Sequence, residues 1–137
     1  MPQTKFTTRD VLTANAAFYA AFRSADFPAM ESLWSASDKI SIHHPGQQAI
    51  EGREAVMRSW REILLDGAPP MIYPVDPLAV ICGSVALVIC EEDIEGRRLI
   101  ATNVFVREEG AWRLAQHQAT GLAQDAKRSE EGSPPEA

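Results

Sequence analysis

Ile40-Ser-Ile-His-His-Pro-Gly-Gln-Gln-Ala-Ile-Glu-Gly-Arg-Glu-Ala-Val-Met-Arg-Ser-Trp60 is the stretch on which the reading of the fold turns. Ile40 and Ile42 alternate with Ser41 and His43, the period of a half-buried strand, so His44 shares the side of the isoleucines. Pro45 has no N–H for a ladder and keeps its predecessor extended, which ends the strand with His44 at its rim. Gly52 then opens a helix whose apolar positions Val56, Trp60 and Ile63 recur at helical spacing. A strand, a Pro-Gly turn and a helix thus place a titratable side chain at the mouth of whatever they enclose.

Working towards the N-terminus, Ser35 to Asp38 reads as a turn. Before it, Asp26 caps a short helix with Pro28 near its start and Met30, Leu33 and Trp34 on its buried side. A longer helix precedes that one, capped by Thr7 or Thr8 with Asp10 near its positive end. Val11, Phe18, Phe22 and Ala25 form its stripe, with Leu12 and Tyr19 beside it and Asn15 on the same face. Polar groups on an apolar face must find partners or line a cavity.

Downstream, Asp66-Gly67-Ala68-Pro69-Pro70 ends the third helix and the period becomes two. Met71 to Cys82 is extended, and Pro74 and Pro77 mark an edge strand or a bulge. Ser84 to Ile94 turns at Glu95-Gly96, and Leu99 to Arg107 joins Trp112 to Thr120 through Glu109-Gly110. Four such strands make an antiparallel meander. Helices early and strands late predict an α+β domain, a curved, mostly antiparallel sheet with three helices on its concave face.

The 137 residues suffice for one domain, expected over 1–122. The 123–137 tail holds too few apolar side chains to offset ordering and is expected to stay unfolded. With a net charge of −6 and no basic run longer than Arg97-Arg98, a nucleic-acid partner is not expected. The start of the chain has no apolar leader, and Leu78 to Cys90 is too short to span a bilayer, so no membrane partner is expected either. Cys82 and Cys90 read as reduced core residues of a cytoplasmic protein. His43, His44 and His117 lack metal-ligand spacing, and no metal or cofactor is expected.

The element order, with His44-Pro45-Gly46, Glu51-Gly52-Arg53-Glu54-Ala55-Val56, Ala101-Thr102-Asn103-Val104-Phe105 and Gly110-Ala111-Trp112-Arg113-Leu114, resembles the nuclear transport factor 2-like superfamily. The likeness runs over Asp10 to Leu122 and is strongest to SnoaL-like proteins with a His-Pro-Gly turn and a Trp-Arg-Leu strand ending in His and Gln. It implies a cone-shaped, cystatin-like roll around one apolar pocket, dimerisation through the outer sheet face, and a small apolar or partly oxygenated ligand. Ketosteroid isomerases of this superfamily imply roles in turn: His44 as base before Pro45, and Tyr19 and Asn103 as oxyanion donors. Each has a plainer reading, His44 as a turn or interface residue and Tyr19 as an anchor of helix to sheet. A pure association module is the third alternative.

Parity assigns the remaining interior positions. Asn103 alternates with Leu99, Ala101 and Phe105, so it faces inward. Counting along the last strand, Gln116 and Gln118 share the face of Trp112 and Leu114, and His117 points out. The expected pocket lining is therefore Asn15, Phe18, Trp34, Trp60, Phe105, Gln116 and Gln118. On the outer face Ile100, Val104 and Val106 are expected, with Val85 or Val88 as neighbours.

Overall fold

The computed structural model describes residues 6–68 and 71–122; the expectations for Pro69-Pro70 and for the 123–137 tail lie outside these residues. Helix α1 (Thr8–Arg23) starts at a reciprocal cap, in which Asp10 N–H donates to Thr7 Oγ1 at 3.3 Å and Thr7 N–H donates to Asp10 Oδ2 at 2.9 Å. Helix α2 (Phe27–Leu33) starts where Ala29 N–H donates to Asp26 Oδ1 at 3.1 Å. Helix α3 (Arg53–Leu65) has Gly52 at its N-cap, with φ +93°, and a glycine has no side chain to cap with. Asp38 supplies the acceptor instead, taking the Arg53 N–H at 2.9 Å.

Strands β1 (Ser41–His43), β2 (Ile50–Glu51), β3 (Ile72–Cys82), β4 (Val85–Ile94), β5 (Arg97–Glu108) and β6 (Ala111–Gly121) form one sheet in the order β2-β1-β6-β5-β4-β3. The last four are the expected meander, and β1 joins β6 in parallel. Strand β2 was not expected. Past the Pro45-Gly46 turn, where Gly46 has φ +76° and Gln47 N–H reaches His44 C=O at 3.1 Å, the chain returns along β1. Strand β3 is an edge, and its register shifts between Val75 and Leu78, where Asp76 takes φ +50° just before Pro77.

A second register shift matters more. Phe105 pairs with Leu114 and Val104 with Gln116, leaving Ala115 as the extra residue of a bulge. Inward positions on β6 therefore run Trp112, Leu114, His117, Ala119. Phe18, Trp34, Trp60, Phe105 and Leu114 are all buried in a single core cluster, as expected.

Two expectations, one for the outer face and one for the core, need correction. Ile100, Val104 and Val106 are half-buried, but Val88 is fully buried and points inward with Ala86 and Cys90; its outward neighbours are Val85, Leu87 and Ile89. Cys82 is exposed and not a core residue, because it ends an edge strand at the Gly83 turn; Cys90 is buried and both thiols are free.

Candidate functional site

Between α1 and the inner face of β4, β5 and β6 lies a group of buried polar side chains. Helical spacing brings Asn15 and Tyr19 one turn apart on the buried face of α1. Alternation on β4 carries the inward face from Ala86 through Val88 and Cys90 to Glu92. Strand β5 contributes Asn103, and β6, through its bulge, contributes His117. None of these six is more than 3% exposed.

They bond mainly to one another. Tyr19 O–H donates to Glu92 Oε2 at 2.6 Å and lies 3.6 Å from Cys90 Sγ. Asn103 Nδ2 donates to Asn15 Oδ1 at 2.8 Å and to Tyr19 Oη at 3.1 Å. His117 Nδ1 stands 2.6 Å from Asn103 Oδ1, and His117 Nε2 stands 3.8 Å from Glu92 Oε2. Both amide hydrogens of Asn103 are committed, so its oxygen can only accept, and the shared proton belongs to His117 Nδ1. The neutral imidazole therefore turns the lone pair of Nε2 towards Glu92.

Burial sets the protonation of the group. Desolvation pushes the Glu92 carboxyl up to about 7 against the opposing effect of the Tyr19 hydrogen bond. Desolvation, with His44 nearby, pushes His117 down to about 3, so the ring is neutral at physiological pH. Tyr19 is raised by burial and by Glu92 beside it, and Cys90 is raised by burial. Glu92 is the group of this set that changes charge near pH 7.

The three residues assigned as base and oxyanion donors separate into two places. Tyr19 and Asn103 touch each other within the buried group. His44 is half-buried at the end of β1, its Nε2 3.3 Å from Ser59 Oγ and its ring edge-on to Trp60 at 5.5 Å. Burial, then the neighbouring His43, lowers its pKa.

Among the expected lining residues, Asn15, Phe18, Trp34, Trp60 and Phe105 face the interior. Gln116 and Gln118 do not: the bulge at Ala115 inverts the alternation, leaves Gln118 exposed and Gln116 only partly covered, and turns His117 inward. Glu92 went unnoticed in the sequence because it stands inside Glu91-Glu92-Asp93, which reads as a solvated strand end. Its parity with Val88 and Cys90 was the signal that could have found it.

Around Trp60 gather the rings of Phe18, Phe22, Trp34, His44 and His117, with centroids 5.0 to 6.4 Å away. Among the described residues, the buried side-chain N and O atoms without a hydrogen-bond partner are the indole nitrogens of Trp34, Trp60 and Trp112. An open cleft of about 540 Å³ beside Trp34 includes Arg53 and Arg113. Both guanidiniums there bond to carbonyls at the end of α2: Arg53 to Glu31 and Ser35, Arg113 to Ser32. That cleft reads as a helix C-terminus held in place by side-chain donors. No helix of the described residues is long and apolar enough to cross a membrane.

The SnoaL-like domain family matches residues 11–123, which takes in all of α1 but its first three residues, α2, α3 and the whole sheet. The chain belongs to this family. A crystal structure of a candidate dehydratase of the NTF2-like family from Streptomyces avermitilis is 31% identical to this SnoaL-like domain, with a TM-score of 0.78, covering 89% of this chain and 99% of that one. A candidate calcium/calmodulin-dependent protein kinase type II association domain from Thiobacillus denitrificans is 27% identical, with a TM-score of 0.74, covering 81% of this chain and 94% of that one. The F-box protein SKIP8 of Arabidopsis thaliana is 25% identical over 122 residues, 87% of this chain. The SnoaL-like domain spans about half, 52%, of the length of that relative.

Proposed function

We propose that this SnoaL-like domain binds a small, largely apolar, partly oxygenated molecule in its interior and works as a cytoplasmic homodimer. The observation that carries the reading is the pair of buried indole N–H groups on Trp34 and Trp60, which have no acceptor. An unpaired buried donor costs about 1–3 kcal/mol, and a ligand carbonyl oxygen would satisfy it. Phe18, Trp34, Trp60 and Phe105 supply the apolar walls, and Asn15 a polar one.

The test is a titration with 6-acetyl-2-naphthol, a fluorescent bicycle with one ketone and one hydroxyl. One saturable site per chain is expected, and Trp60→Phe, which removes one N–H, should weaken binding by about tenfold, the equivalent of one hydrogen bond. No saturation up to the solubility limit would overturn the reading.

The dimer is inferred from the outer sheet face, where Leu78, Val80, Val85, Leu87 and Ile89 are exposed side by side on β3 and β4. So much apolar surface on an open sheet is a liability unless a second copy covers it. Sedimentation should give a dimer at micromolar concentration and a monomer for the double change Leu87→Lys, Ile89→Lys. A wild-type monomer in the same run refutes the proposal.

One observation favours a second reading, a cofactor-free isomerase or cyclase: Tyr19 and Asn103, the two assigned oxyanion donors, stand 3.1 Å apart. Their hydrogens go to Glu92 and Asn15, however, and His44 bonds to Ser59, so the binding role is preferred. Proton exchange of an enolisable ketone that disappears in His44→Ala would reverse that preference.

A further inference from the structure

We propose that Glu92 and His117 together form the recognition site for a single hydroxyl group of the ligand, so that the domain selects alcohols and phenols over the matching ethers. The inference rests on the interior-binding reading above and adds the chemical class of the molecule bound.

The argument is one of unmet hydrogen-bonding capacity on two adjacent atoms. Asn103 fixes the proton of His117 on Nδ1, so Nε2 offers a lone pair. Glu92 Oε2 accepts from Tyr19, and in its protonated form the carboxyl also has an O–H to give. The two atoms are 3.8 Å apart, beyond direct hydrogen-bond reach. A single oxygen about 2.8 Å from each bridges them. To satisfy both it must accept from the carboxyl and donate to the imidazole. A hydroxyl does both; a ketone or ether oxygen can only accept.

The surroundings suit such a bridge. The rings of Phe18 and Trp60 lie 5.0 and 6.3 Å from the His117 ring, so a ligand whose hydroxyl bridges the pair would set its apolar body among these rings. The titratable groups facing the pair are Tyr19 from α1, Cys90 on β4 and His44 beyond His117. Burial holds the first two in their neutral forms and favours the neutral form of His44. The raised affinity of Glu92 for its proton keeps a substantial part of it protonated at pH 7.

The experiment compares 6-acetyl-2-naphthol with its methyl ether at pH 6.5. They share the ring and the ketone and differ only in the ability to donate. Wild type should favour the naphthol by about tenfold or more, since a site built around a hydroxyl leaves polar atoms unpaired with the analogue. Glu92→Gln keeps an acceptor for Tyr19 and a donor for the ligand, and should keep the preference. Glu92→Met removes a donor that both compounds use and should weaken both alike, whereas His117→Phe removes the acceptor that only the naphthol can use and should bring the ratio of the two affinities close to one. Retained binding of the ether, which has no hydrogen to give Nε2, shows that His117→Phe still folds. Equal affinities in wild type, or a preference that survives His117→Phe, overturn the inference and leave the binding reading standing. Failure of both compounds to bind wild type overturns the binding reading, and with it the inference.

Discussion

Glu92→Gln is expected to stabilise the fold at pH 8 by about 3 kcal/mol and to leave it nearly unchanged near pH 4.5. The figure comes from the rise of the Glu92 carboxyl from its ordinary 4.5 to about 7, each pH unit being worth about 1.36 kcal/mol. With the folded value above the unfolded one, the group is proton-bound in both states below 4.5 and carries no penalty there. Stability is lost as pH rises from 4.5 to about 7, where the unfolded carboxyl gives up its proton and the folded one keeps it, and the loss is complete above 7. His117 acts in the opposite sense: lowered from 6.5 to about 3, it favours the fold above 6.5 and ceases to do so as pH falls towards 3. Between 4.5 and 6.5 the two slopes oppose each other, so the wild-type profile should be flat there. The glutamine variant should instead gain stability with pH up to 6.5. Urea unfolding at matched protein concentration gives the two profiles. A variant no more stable than wild type at pH 8 would show that Glu92 is not the buried carboxyl described.

Trp60→Ala should lower the unfolding free energy by about 3–5 kcal/mol, the cost of emptying a fully buried aromatic site. Trp60 is 0% exposed and is ringed by Phe18, Phe22, Trp34, His44 and His117, so no single neighbour can collapse into the space. That loss would consume much of the 5–15 kcal/mol typical of a domain. Trp60→Phe keeps an aromatic ring in place and removes an N–H that has no partner, so about 1.5 kcal/mol is expected. Denaturant midpoints of the three proteins decide it. A loss below about 1.5 kcal/mol for the alanine variant would mean that the aromatic cluster tolerates collapse and does not frame the interior.

Much of the architecture could be read from local pattern. The cap residues Thr7 and Asp26, the Pro-Gly turn after His44 and the Gly-containing turns of the meander each state their local geometry. Periods of 3.6 and 2 did the rest, down to the inward placement of Asn103 and Phe105. Two kinds of information were missing. The bulge at Ala115 is a property of the pairing between β5 and β6, and no residue type at that position announces it, so counting along β6 alone exchanged His117 with its glutamine neighbours. The burial of Glu92 is a property of β4 packing against α1. Its two acidic neighbours made it look solvated, although Glu91 pairs with Arg98 on the surface while Glu92 alone turns inward. Strand β2 is only two residues long and exists because the turn after His44 folds back on β1.

The extra residue at Ala115 works like a shift of reading frame within a strand. Residues before it present Trp112 and Leu114 to the interior; those after it present His117 and Ala119. Without the bulge, regular alternation through Ala115 would deliver Gln116 and Gln118 to the same places, and the interior would receive carboxamides in place of an imidazole. The pairing of β6 with β5, and not the residue types along β6, therefore decides which chemical repertoire reaches the interior. In this chain, the register of the last strand carries as much chemical information as the identity of the residues in it.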